Sequence, residues 1–63
     1  MIKELKKAIK IFNKNDDKRM TFRQIGVEYY KLYIGGYLIT EGDDIDLLDR
    51  VKGINKENGY EDI

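Results

Sequence analysis

Tyr29-Tyr30-Lys31-Leu32-Tyr33-Ile34-Gly35-Gly36-Tyr37-Leu38-Ile39-Thr40 is the stretch whose reading decides the fold of this chain. It holds four of the five tyrosines, and a Gly-Gly pair divides its apolar residues into two triplets. Glycines tolerate the positive φ of a two-residue hairpin turn, and β-branched and aromatic side chains fit a pleated surface. The expectation is a β-hairpin in which Ile34 faces Tyr37, Leu32 faces Ile39 and Lys31 faces Thr40. That register places Tyr30, Leu32, Ile34, Tyr37 and Ile39 on a core face and Tyr29, Lys31, Tyr33, Leu38 and Thr40 on the other, because side chains alternate along a strand.

Upstream, residues 19–23 alternate polar and apolar, which reads as a third strand adding Met20 and Phe22 to the core face and Arg19, Thr21 and Arg23 to the outer one. The same region supports a rival helix. Thr21 with Gln24 forms a capping box, Met20 can staple against Ile25, and Phe22, Ile25, Tyr29, Leu32 and Tyr33 share a face at helical periodicity. Gly26, at about 1 kcal/mol against a helix relative to Ala, and the β-branched and aromatic content favour strands.

Ile2, Leu5, Ala8, Ile9 and Phe12 recur at spacings of three and four with lysines opposite, an amphipathic helix that Asn13, Asn15, Asp16 and Asp17 bring to an end. Ile11 falls off its apolar face. Residues 41–53 read as a short second helix, capped by Asp43 or Gly42, with Asp44 and Asp46 at its positive end, Arg50 and Lys52 at its negative end and Gly53 as its stop. Ile45, Leu48 and Val51 give that helix an inward face, with Leu47 at the margin. The expected fold is α+β: an N-terminal amphipathic helix, a two- or three-stranded antiparallel hairpin or meander and a short C-terminal helix in one domain over residues 1–54, followed by a polar, frayed tail over 55–63. The alternative is an all-α three-helix domain with a helix over 22–34.

At 63 residues the chain is near the lower limit for burying a self-sufficient core, and with no Cys and no His it lacks disulfide and zinc staples. A partner or self-association is the remaining source of stability. Twelve basic residues balance twelve acidic ones, but unevenly. Residues 1–34 carry nine Lys or Arg against four Asp or Glu, a net +5, and residues 35–63 carry three against eight, a net −5. No apolar run reaches the length of a membrane span, the first residues lack the apolar segment of a signal peptide, and the absence of Cys fits a reducing compartment, so a soluble cytoplasmic protein is expected.

Without His, Cys or Ser the nucleophile and base pairs of acyl transfer are missing, and no catalysis, cofactor or small-molecule substrate is expected. The acidic run 41–49 lacks the alternating ligands and closing Glu of a calcium loop, since Ile45, Leu47 and Leu48 interrupt it, and no metal is expected there. Asp43, Asp44, Asp46 and Asp49 suit a helix start and are also a candidate acidic surface for a basic protein site. Lys3, Lys6, Lys7 and Lys10 form a stripe that serves as the wet side of the first helix and as a candidate phosphate contact.

Arg19, Arg23, Tyr29, Lys31, Tyr33 and Leu38 are the candidate partner-binding set, since Tyr and Arg dominate protein hot spots and aromatic rings among cations also bind single-stranded nucleic acid. The leading expectation is a small non-catalytic regulator or accessory factor that binds and modulates a larger protein. The alternative is a nucleic-acid-binding accessory protein using the lysine stripe and the Tyr/Arg face, and a third course is a homo-oligomer formed through an edge strand. The larger protein is expected to be a DNA-transacting enzyme of a phage or mobile element, whose small accessory proteins the chain resembles in length and in its Lys, Ile, Asn and Tyr bias, with no residue motif behind that likeness.

Overall fold

The computed structural model describes residues 2–60, in the order α1 (Ile2–Asn15), β1 (Met20–Gly26), β2 (Tyr29–Ile34), β3 (Tyr37–Gly42) and α2 (Asp44–Asn58). The fold is α+β, and the all-α alternative falls because residues 22–34 form two strands and not a helix. The strands make an antiparallel sheet in the order β1-β2-β3. Both helices lie on one face of it, packed on each other, with α1 reaching β1 and α2 reaching β2 and β3.

The core follows from the periodicities. α1 contributes Leu5, Ala8, Ile9 and Phe12, the sheet contributes Met20, Tyr30 and Leu32, and α2 contributes Leu47, Leu48 and Val51. Each large aliphatic side chain fully buried there stabilises the fold by about 1.5–3 kcal/mol. Two edge-to-face ring pairs extend it, Phe22 with Tyr30 and Phe12 with Tyr60, each with centroids 5.9 Å apart.

Gly35 and Gly36 make the expected turn, with φ of 59° and 86°. Beyond it the expected register needs correction. A bulge leaves Ile39 as an extra residue in β3, so Leu32 lies opposite Thr40 and Lys31 opposite Glu41. The shift brings Gly42 opposite Tyr30 and under α2, where an added Cβ would stand 2.7 Å from Oδ2 of Asp46. Tyr37, expected in the core, is 78% exposed because it sits directly after the turn.

The helix bounds also differ from expectation. α1 continues through Asn13 to Asn15, and α2 continues through Gly53 to Asn58. Ile54 and Asn55 prolong the inward face of α2, and that burial outweighs the roughly 1 kcal/mol that a mid-helix glycine costs. Gly59, with φ of 72°, is the left-handed cap instead, and the N–H of Tyr60 donates to the Asn55 carbonyl at 2.8 Å. Residues 55–60, expected in the polar tail, are therefore helix, cap and packed ring, while 61–63 lie outside the described residues. At the other end of α2, Oδ1 of Asp43 accepts from the Asp46 N–H at 2.8 Å. This cap fixes the phase of the helix so that Leu47 is fully buried and Ile45 is 49% exposed, the reverse of the expected ranking.

Asn13 has a structural task at the open edge of the sheet. Its Oδ1 accepts from the Met20 N–H at 2.6 Å and its Nδ2 donates to the Met20 carbonyl at 3.0 Å. The Arg19 carbonyl accepts from Gly35 at 2.8 Å and so faces inward along the sheet. By alternation the groups of Met20 face outward, where Asn13 meets them as a neighbouring strand would. Among the described residues no helix is long and apolar enough to cross a membrane.

Candidate interaction surfaces

The face of the sheet turned away from the helices is built by register. Thr21, Tyr33 and Leu38 form one cross-strand row and Arg23, Lys31 and Glu41 the next, with Tyr29 beyond them on β2. In the first row the Tyr33 ring lies between Thr21 and Leu38, and Leu38 is exposed. The second sets two cations side by side, an arrangement that like-charge repulsion disfavours. The Tyr29 hydroxyl donates to Oε2 of Glu41 at 3.0 Å, and this bond to an anion, ahead of desolvation and the nearby charges of Glu41 and Asp46, raises the phenol above its usual range.

Of the six residues expected on this face, Arg23, Tyr29, Lys31, Tyr33 and Leu38 are brought together. Arg19 precedes β1 and lines a shallow depression of about 440 Å³ beside α1, with Lys6, Lys10 and Lys14. The lysine stripe is divided by the packing of α2. Lys6 and Lys10 belong to that depression, Lys3 is exposed, and Lys7 faces α2 across a second groove.

The acidic candidates are spread along α2. Asp43 caps the helix, Asp44 accepts from the adjacent Ile45 N–H at 3.0 Å, Asp46 packs against Gly42, and Asp49 lies further along beside Arg50 and Glu57. Among the described residues no group of three His, Cys, Asp or Glu is placed to hold a metal ion.

Three features are absent from the expectations. The first is a groove of about 690 Å³ between the helices, to which α1 gives Glu4, Lys7, Ala8 and Ile11, α2 gives Lys52, Asn55 and Lys56, and Tyr60 adds its ring. Asn55, 6% exposed, donates from Nδ2 to the Ala8 carbonyl at 3.0 Å, while its buried Oδ1 has no hydrogen-bond partner among the described residues. The second is the Tyr60 hydroxyl, which donates to Oδ2 of Asp16 at 2.8 Å. Asp16 is held below the usual carboxylate range first by the Lys18 backbone N–H and then by this hydroxyl, and Tyr60 is pushed up chiefly by the same bond. The third is the β1–β2 turn, where Val27 is 93% exposed, Ile25 is exposed, and Glu28 takes a φ of 53°. Compared with protein-family models, with curated proteins and with solved structures, the chain matches none.

Proposed function

We propose that this chain is a small non-catalytic module that binds a larger protein through the outer face of its sheet and modulates it. One observation carries this reading: the helices cover one face only, and the other gathers Arg23, Tyr29, Lys31, Tyr33 and Leu38. Tyr33 is of the residue type that dominates protein hot spots, and Leu38 beside it adds exposed apolar area. A carboxylate on the partner would relieve the repulsion between Arg23 and Lys31, so the complementary surface is apolar with an acidic rim. The target proposed is a cytoplasmic DNA-transacting enzyme of a phage or mobile element.

The test separates the two faces of one strand. Tyr33→Ala leaves the protein folded by circular dichroism and weakens partner capture about tenfold or more. Leu32→Ala, its neighbour in the core, lowers stability by about 2–5 kcal/mol. Retention of the partner by Tyr33→Ala, or a stable monomer with no protein partner at micromolar concentration, would refute the proposal.

A second reading rests on Arg19 joining Lys6, Lys10 and Lys14 in one depression, a cationic patch suited to phosphates. The zero net charge and the acidic α2 oppose it. A gel-shift titration at two salt concentrations decides: binding that falls steeply with salt supports nucleic-acid contact, and no shift at low salt ends it.

A further inference from the structure

We propose that Asn58 is a self-modification site, where a spontaneous deamidation is held back by the C-terminal cap of α2 and, once complete, releases Tyr60 irreversibly. Of the four asparagines only Asn58 precedes a glycine. That pairing is the reactive one. Succinimide closure needs the backbone nitrogen of the following residue to reach the side-chain amide carbon, and glycine has no side chain to block the approach. The space around Gly59 is open, since an added Cβ would meet nothing within 4 Å, and Asn58 itself is exposed.

The reaction consumes only water. The Gly59 nitrogen attacks Cγ of Asn58, a C–N bond forms, and the bond from Cγ to Nδ2 breaks. The proton of the attacking nitrogen leaves with the amide nitrogen as ammonia. Water then opens the succinimide ring at either carbonyl. One opening leaves an aspartyl residue, and the other leaves an isoaspartyl residue whose main chain runs through the former side chain and is longer by a methylene.

The fold holds this chemistry back. The nitrogen that would attack donates to the Lys56 carbonyl at 3.2 Å, and the amide that would be attacked donates from Nδ2 to the Ile54 carbonyl at 2.9 Å. Closure therefore waits for the cap to open. Tyr60 keeps it shut, since its N–H donates to the Asn55 carbonyl at 2.8 Å, its ring lies edge-on to Phe12 and its hydroxyl donates to Asp16. The rate in the folded protein is then the intrinsic rate scaled by the population of cap-open molecules.

The product does not close again in the same way. A new carboxylate stands at the negative end of the α2 dipole, beside Glu57. In the isoaspartyl form the longer main chain shifts Gly59 out of register with the carbonyls it caps, and Tyr60 leaves Phe12 and Asp16. The site lies at the end of α2, so it does not depend on what the outer face of the sheet binds.

Peptide mass mapping of the whole chain, aged at mildly alkaline pH in buffer and in urea, tests the proposal. In urea Asn58 is expected to show the mass increase of an amide-to-acid change ahead of Asn13, Asn15 and Asn55, and in buffer to convert at least about tenfold more slowly. Tyr60→Phe keeps the ring and removes the bond to Asp16. It is expected to speed conversion in buffer and to leave the rate in urea unchanged. The converted protein, isolated by ion exchange, is expected to titrate Tyr60 near the ordinary value of 10.0. Conversion of Asn58 in urea no faster than that of the other asparagines would overturn the site. Equal rates in buffer and urea, or an unchanged rate in buffer for Tyr60→Phe, would overturn the gate, and a Tyr60 titration that stays raised after conversion would overturn the release.

Discussion

Asp16 and Tyr60 lie 44 residues apart in sequence and are joined by one hydrogen bond of 2.8 Å. Its electrostatics point both ways along the pH axis. The depressed carboxyl of Asp16 supports the fold above the usual carboxylate pKa of 3.8, and the support is lost as pH falls through the lower folded value. The raised phenol of Tyr60 supports it below the ordinary value of 10.0, and that support is lost as pH rises through the higher folded value. NMR of the Asp16 carboxyl is therefore expected to titrate below 3.8 and phenolate absorbance of Tyr60 above 10.0. Asp16→Asn should bring Tyr60 back toward its ordinary value; an unchanged Tyr60 titration would show that the bond does not form in solution. Nothing periodic marks Tyr60 in the sequence. Asn58-Gly59 is legible as a turn signal, but only the continuation of α2 past Gly53 makes it a helix cap that aims Tyr60 at Phe12.

Among the elements, the two hairpins differ in how far their sequences reveal them. Gly35-Gly36 announces its turn because positive φ at both positions excludes most side chains. The bulge at Ile39 has no such signature, since isoleucine is an ordinary strand residue, and its consequence, Gly42 lying close under Asp46, involves another element. The β1–β2 turn carries Val27 and Glu28, neither a turn former, although Glu28 holds a φ of 53°. A left-handed conformation costs an L-residue about 1–2 kcal/mol, and the greater freedom of glycine in the unfolded chain returns part of that. Glu28→Gly should accordingly raise stability by about 0.5–1 kcal/mol, seen as a higher urea midpoint at unchanged slope. A lowered midpoint would mean that the Glu28 side chain contributes more than its backbone strain removes. For α2 the apolar residues alone left its phase open by about one position, and the Asp43 cap decided in favour of Leu47 over Ile45.

At the scale of the molecule, the outer sheet face was legible because strand alternation sorts residues without knowledge of what packs behind them. Arg19 escaped that logic by falling one residue before β1. The inter-helix groove could not be read from sequence, since its lining comes from residues 4–11 and 52–60 and exists only once α1 and α2 lie side by side. The basic and acidic halves of the chain do not form two separate lobes, because Lys31 pairs with Glu41 across β2 and β3 and Lys7 faces Lys52 across the groove.

An uncovered sheet carries a hazard that the Asn13 clamp addresses. A strand edge is a template on which further chains can stack into fibrils. On β1 the outward slot at Met20 is filled by Asn13, and alternation leaves only Phe22 and Gln24 before the strand breaks its register between Gln24 and Gly26. Such a short segment is a poor template for a growing stack on the β1 side of the sheet. Asn13→Val removes both clamp bonds while favouring extended structure. It should shorten the lag of thioflavin-positive aggregation at equal concentration, and an unchanged lag would assign the protection to the bulge alone.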